Sequence, residues 1–120
     1  MSHKGFTLIE LVMVIVIIGI LAVVAIPRFI DLANDARLAA EQGVVGGVRA
    51  GIYTYYAQNR TFPASLGGGA GACSNANPCF TAVLTQGGVV SDWTVATAGL
   101  VYDGPTGTVY TYTPATGTFQ

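Results

Sequence analysis

In the stretch KGFTLIELVMVIVIIGILAVVAIP, residues 4–27, everything from Phe6 to Ile26 is uncharged except Glu10. Coiled as an α-helix at about 1.5 Å per residue, this run reaches roughly 30 Å, the thickness of a bilayer's hydrocarbon core. A run of that length is a membrane span, a signal peptide or a fully buried helix. Its many Val and Ile residues favour strands in water. In lipid, a single span has to pair its backbone groups internally and is therefore helical. A carboxylate at the centre of a span is costly, but Glu10 lies near one end. Gly19 and Pro27 are the weak points: Gly19 adds backbone freedom, and Pro27 cannot donate to the Val23 carbonyl. Helical signals resume directly after Pro27, which predicts a kink rather than a stop.

Met1–Gly5 is too short, and too abruptly joined to the apolar run, for an ordinary signal peptide. Cleavage between Gly5 and Phe6 would create an α-amino cation one helical turn from Glu10. A short basic leader ending in Gly, then Phe-Thr-Leu-Ile-Glu and an apolar run closed by Pro, resembles the start of type IV pilins and of type II secretion pseudopilins. The following segment, PRFIDLANDARLAAEQG (residues 27–43), is similar to major pilins of the mannose-sensitive haemagglutinin type. The resemblance implies a leader, residues 1–5, removed by a prepilin peptidase on the cytoplasmic face, with methylation of the Phe6 amine. It implies a transmembrane and assembly helix, residues 6–27. In that helix Glu10 selects the Phe6 amine of a neighbouring subunit, and the Gly19–Pro27 region loses helix on assembly. The implied partners are further copies of the chain in a helical filament, the inner membrane before assembly, and the pilus assembly machinery. The location implied is the bacterial inner membrane and then an extracellular pilus, or the periplasm for a pseudopilus.

Composition excludes several function classes. The formal charge of −1 gives no electrostatic footprint for nucleic acid. Once residues 1–5 are removed the chain holds no His and no Lys, so histidine acid–base chemistry, Ser-His or Cys-His nucleophiles and His-containing metal sites are excluded. No phosphate-binding loop with its Lys is present, and Gly67–Gly71 reads as a flexible linker. The expectation is a protein that is not an enzyme, with no catalytic residues, no cofactor and no metal. Major pseudopilins typically bind calcium in a late loop. Here Asp92 and Asp103 are the only late carboxylates, against the six to eight oxygens calcium takes.

The remainder reads as a globular domain, residues 28–120. Ala33, Ala36, Ala40, Val44, Val48, Ile52 and Tyr55 recur at helical spacing, with Arg28, Asp31, Asp35 and Arg49 roughly opposite. Residues 28–59 are thus an amphipathic helix half, although Gly43, Gly46, Gly47 and Gly51 weaken it and leave an end near Gln42 as the alternative. Gly43, Gly47 and Gly51 would also let another backbone approach closely. Phe62-Pro63 forces extended backbone and opens a loop, residues 60–79, that holds both cysteines. In an oxidising space outside the membrane, Cys73 and Cys79 form a disulfide. Residues 80–120 read as a β-region. Phe80–Thr85 is a strand or a single helical turn, and strands are expected at Trp93–Ala96, Leu100–Tyr102, Thr108–Thr113 and Thr118–Phe119. So small a sheet has too little core to stand alone, and the helical stripe would cover it. The fold class is α+β: a long N-terminal helix, transmembrane in its first half and amphipathic in its second, packed on a small antiparallel sheet. The functional expectation is a structural subunit of a type IV pilus, with a role in adhesion or motility. The alternative is a major pseudopilin of a type II secretion system.

Overall fold

The computed structural model describes residues 2–120; Met1, the first residue of the expected leader, lies outside them. One α-helix, α1, runs from Leu8 to Asn59 with Pro27 inside it. The chain divides into a unit ending at Ala36 and a unit Arg37–Gln120.

In the first unit α1 passes through Pro27, so the helix neither stops nor restarts there. Its large apolar side chains, from Leu8 to Leu32, are exposed throughout.

In the second unit α1 continues over residues 37–59 and meets a five-stranded antiparallel sheet in the order β1-β2-β3-β4-β5. The strands are β1 (Gly71–Ala72), β2 (Thr94–Thr97), β3 (Val101–Asp103), β4 (Val109–Thr113) and β5 (Thr118–Phe119). Each strand pairs with the next in sequence, a meander whose turns fall at the expected Gly positions. The register shifts between Val95 and Thr97, where β2 bulges against Val101. β1 was not anticipated: two small residues carry no strand signal, and the pairing of Gly71 with Val95 places them. Phe80–Leu84 is a single turn, with both Val83 and Leu84 N–H donating to the Phe80 carbonyl.

The helix stripe is narrower than expected. Its buried positions are Glu41, Val45, Val48 and Ile52, with Val44, Gly51 and Tyr55 half-buried, whereas Ala33, Ala36 and Ala40 are exposed. Val45, Val48 and Ile52 each gain roughly 1.5–3 kcal/mol from burial. That burial carries the helix through Gly43, Gly46, Gly47 and Gly51, past the alternative end near Gln42. Of the glycine series only Gly51 is required by a close approach, because a Cβ there would strike the Val83 carbonyl. Gly47 meets only the end of Leu84, and Gly43 meets nothing. Arg49 does not face away: its Nε donates to the Phe119 carbonyl at 2.9 Å. The helix ends where Arg60 turns left-handed (φ 60°) and its N–H donates to the Tyr56 carbonyl.

The core is aromatic. Phe80 stacks on Tyr102 at 4.3 Å and meets Trp93 and Phe119 edge-on at 5.2 and 5.7 Å. Along β4, Tyr110 and Tyr112 point inward while Val109, Thr111 and Thr113 are exposed, as strand alternation requires. The Tyr hydroxyls reach outward to the segment after the helix, Tyr102 to the Gly67 carbonyl and Tyr112 to the Pro63 carbonyl. Gly67–Gly71 is therefore packed backbone and not a free linker. Both Gly67 and Gly68 have positive φ, and a Cβ on either would crowd Thr81, Val95 or Cys79.

Candidate assembly site

The expected site residues fall into two groups. Gly5, Phe6, Glu10, Gly19 and Pro27 lie in the first unit, and Cys73 and Cys79 in the second.

Gly5 and Phe6 precede the helix in irregular backbone, and Phe6 is 91% exposed. The peptide bond between them is thus free of helical hydrogen bonding and open to attack. Glu10 lies in the first turn and is held by Thr7: the Thr7 N–H and hydroxyl each reach Glu10 Oε2 at 2.9 Å. The Glu10 N–H in turn meets Thr7 Oγ1 at 3.3 Å, and the Leu11 N–H donates to the Thr7 carbonyl. This is a capping box, which satisfies helix donors otherwise left without partners and puts a carboxylate at the positive end of the helix. Thr7 was not among the expected site residues. Its signal was legible, because Thr-x-x-Glu before an apolar run is the pattern of such a box.

From Leu8 onward the helix is long and apolar enough to cross a membrane, and none of its most apolar window is buried. Gly19 meets nothing within 4 Å, so its missing side chain leaves a notch in this surface. Gly19 and Pro27 share one helix, and both are exposed among the described residues. Such a surface is removed from water by entering lipid or by packing against other apolar surfaces.

Cys73 and Cys79 are bonded, with Cα atoms 5.6 Å apart. Ser74 and Asn77 pair across the enclosed turn, and the Asn77 side-chain amide clasps Gly69 through both its N–H and its carbonyl. Cys79 pairs with Val89, which ties the turn to the core beside Phe80. The bridge is structural in placement. Among the described residues no three His, Cys, Asp or Glu side chains come together as a metal site.

Residues 1–26 match the family model of the prokaryotic N-terminal methylation motif. The chain is 46% identical over 63 residues to the type IV narrow pilus major component PilA5 of Thermus thermophilus, covering 52% of this chain and 54% of that protein. It is 40% identical over 62 residues to the fimbrial protein EcpC of Eikenella corrodens, covering 52% and 40% respectively. It is 33% identical over 67 residues to the type II secretion system core protein G of Pseudomonas aeruginosa, covering 56% and 47%. The chain thus spans about half the length, or less, of these curated relatives. No solved structure matches it. The chain carries the prokaryotic N-terminal methylation motif and is similar, over about half its length, to type IV pilus subunits and to a type II secretion core protein.

Proposed function

We propose that the protein is a structural subunit of a type IV pilus, assembled through the helix that begins at Leu8. The observation that carries this reading is the apolar surface from Leu11 to Ile26, whose large side chains are all exposed, opened by the Thr7–Glu10 capping box. Residues 1–5 act as the leader, and a prepilin peptidase cuts the exposed Gly5–Phe6 bond. The new Phe6 amine is then methylated. Residues 6–27 hold the precursor in the inner membrane and later pack with the same helices of neighbouring subunits. In lipid the capping box gives the Glu10 carboxylate neutral donors. In the filament the cationic Phe6 amine of a neighbour replaces them, since an unpaired charge in an apolar bundle is costly and a paired one sets register. The Gly19–Pro27 stretch is helical in the free chain and extends on assembly, where neighbouring subunits can cover its backbone.

The similarity to the type II secretion core protein favours a second reading, a subunit of the secretion pseudopilus. Both readings share cleavage and assembly and differ in where the filament stands. Mass spectrometry of sheared extracellular filaments tests the first: the protein is expected there, starting at Phe6 with one added methyl group. Protein retaining Met1 in assembled fibres would refute the assembly reading, and confinement of processed protein to the periplasm would select the pseudopilus.

A further inference from the structure

The buried face of α1 contains one charged residue. Glu41 has 0% exposure, and its carboxylate is held by the β3–β4 turn: the Thr106 N–H donates to Oε2 at 2.7 Å and the Tyr110 hydroxyl to Oε1 at 2.7 Å. The turn is closed on itself by the Gly104 N–H to the Thr108 carbonyl and the Gly107 N–H to the Gly104 carbonyl. Gly104 lies against the carboxylate so closely that a Cβ on it would stand 2.7 Å from the carboxyl carbon. One side chain of the helix thus fixes the turn that joins two central strands.

We propose that Glu41 is an acid-sensitive latch: ionised, it holds the turn Gly104–Thr108 against the helix, and protonated, it lets that turn go. The chemistry follows from the donor count. A carboxylate is acceptor-only and suits two donors, one per oxygen, whereas a carboxylic acid carries a hydrogen of its own. Protonation therefore removes the charge from both bonds: the Thr106 N–H keeps only a neutral acceptor, and the Tyr110 hydroxyl has to turn round and accept. The carboxyl cannot shift toward Gly104 to escape, because that side is already in contact. Bonds to an ionised acceptor are roughly twice as strong as neutral ones, so in acid the turn is held more weakly and opens to water.

The charged surroundings do not supply another switch. On α1, Arg37 lies one turn before Glu41 and shares a groove of about 500 Å³ with Ala40, Asp92 and Pro105. Arg49, further along α1, is engaged by the Phe119 carbonyl and acts on Tyr110. Asp103, on β3, precedes Gly104, and Tyr110 is the titratable group of β4 at the carboxylate. What holds Glu41 ionised is a set of neutral donors. Burial pushes its carboxyl up, but bonds from Thr106, Tyr110 and Thr108 outweigh this and hold it below the usual carboxylate range. The latch is therefore closed at neutral pH and opens only in acid below the usual carboxylate range, as pH falls through the lowered value.

Amide hydrogen exchange on the full chain in detergent micelles tests this between neutral pH and about pH 2.5, after correction for intrinsic exchange. The Thr106 amide is expected to lose about tenfold or more of its protection in acid, while amides of β5 keep theirs. Glu41→Gln removes the charge at nearly constant shape, leaving neutral bonds only, and should show the acid level of Thr106 protection already at neutral pH. Tyr110→Phe keeps the ring and removes one donor, and should move the transition to higher pH. Should Glu41→Gln fail to fold, the direction of the Tyr110→Phe shift decides. Thr106 protection that stays flat into acid in the wild type would overturn the latch, as would an unmoved transition in Tyr110→Phe.

Discussion

Two stretches of one helix obey opposite rules. Between Leu8 and Leu32 large apolar side chains cover every side and none is buried, whereas over residues 37–59 only one stripe is apolar and the sheet covers it. Ile18 is 58% exposed, and Ile52 is fully buried beneath the aromatic core. The placement of carboxylates differs in the same way. Glu10 caps its own helix from the exposed surface through Thr7, while Glu41 is sealed inside and bonded to a distant turn. Folding of the chain therefore completes the second region and leaves the first without a partner. A helix that is apolar all round is stable only in lipid or among other helices. The comparison teaches which region the proposed assembly would use.

The largest effect should come from Glu10→Ala. Filament yield is expected to fall about a hundredfold or more, because in the proposed bundle register rests on one charge pair. Membrane insertion and the melting temperature of the sheet-bearing unit should stay unchanged. Quantifying sheared filaments against membrane-bound protein measures this, and normal filament numbers would break the distinction between the two regions. Glu10→Gln should fall between, since it accepts a hydrogen bond without carrying charge.

Next in size, Ile52→Ala should destabilise the unit by about 2–5 kcal/mol through lost burial and the cavity left in the core, read as a lowered melting temperature. Replacing Cys73 and Cys79 together with Ser should cost roughly 2 kcal/mol, since the bridge closes a short loop. Unchanged melting and protease resistance in the double variant would deny the bridge a stabilising role. The smallest effect belongs to Ile18→Ala, expected within about 0.5 kcal/mol on the same melting curve because its side chain is largely exposed. Equal losses at Ile18 and Ile52 would erase the contrast.

The first region was legible because its signal is strong and local. A long apolar run with one carboxylate at its start, entered from a Gly-Phe junction and closed by Pro, leaves few structures open. The fold class and four of the strands were legible from turn residues and alternating Tyr and Thr. Non-local partners were what the sequence hid. Gly67–Gly71 has the composition of a linker, yet Tyr102, Thr81 and Asn77 pack it down, and Tyr102 lies thirty-five residues from the Gly67 it holds. Glu41 continues the stripe of Val45, Val48 and Ile52 at helical spacing, but its partners lie more than sixty residues away. A charged residue on an apolar stripe was the available hint, and only tertiary structure says what it meets.

The account rests on the exposed helix being an assembly surface whose register is set at Glu10. An electron cryomicroscopy map of the filament tests it most directly. The predicted result places the N-terminal helices together at the filament core, with the Glu10 carboxylate within hydrogen-bond reach of a neighbouring subunit's Phe6 nitrogen. A filament held together through its sheets, with Glu10 still bonded only to its own Thr7, would contradict it.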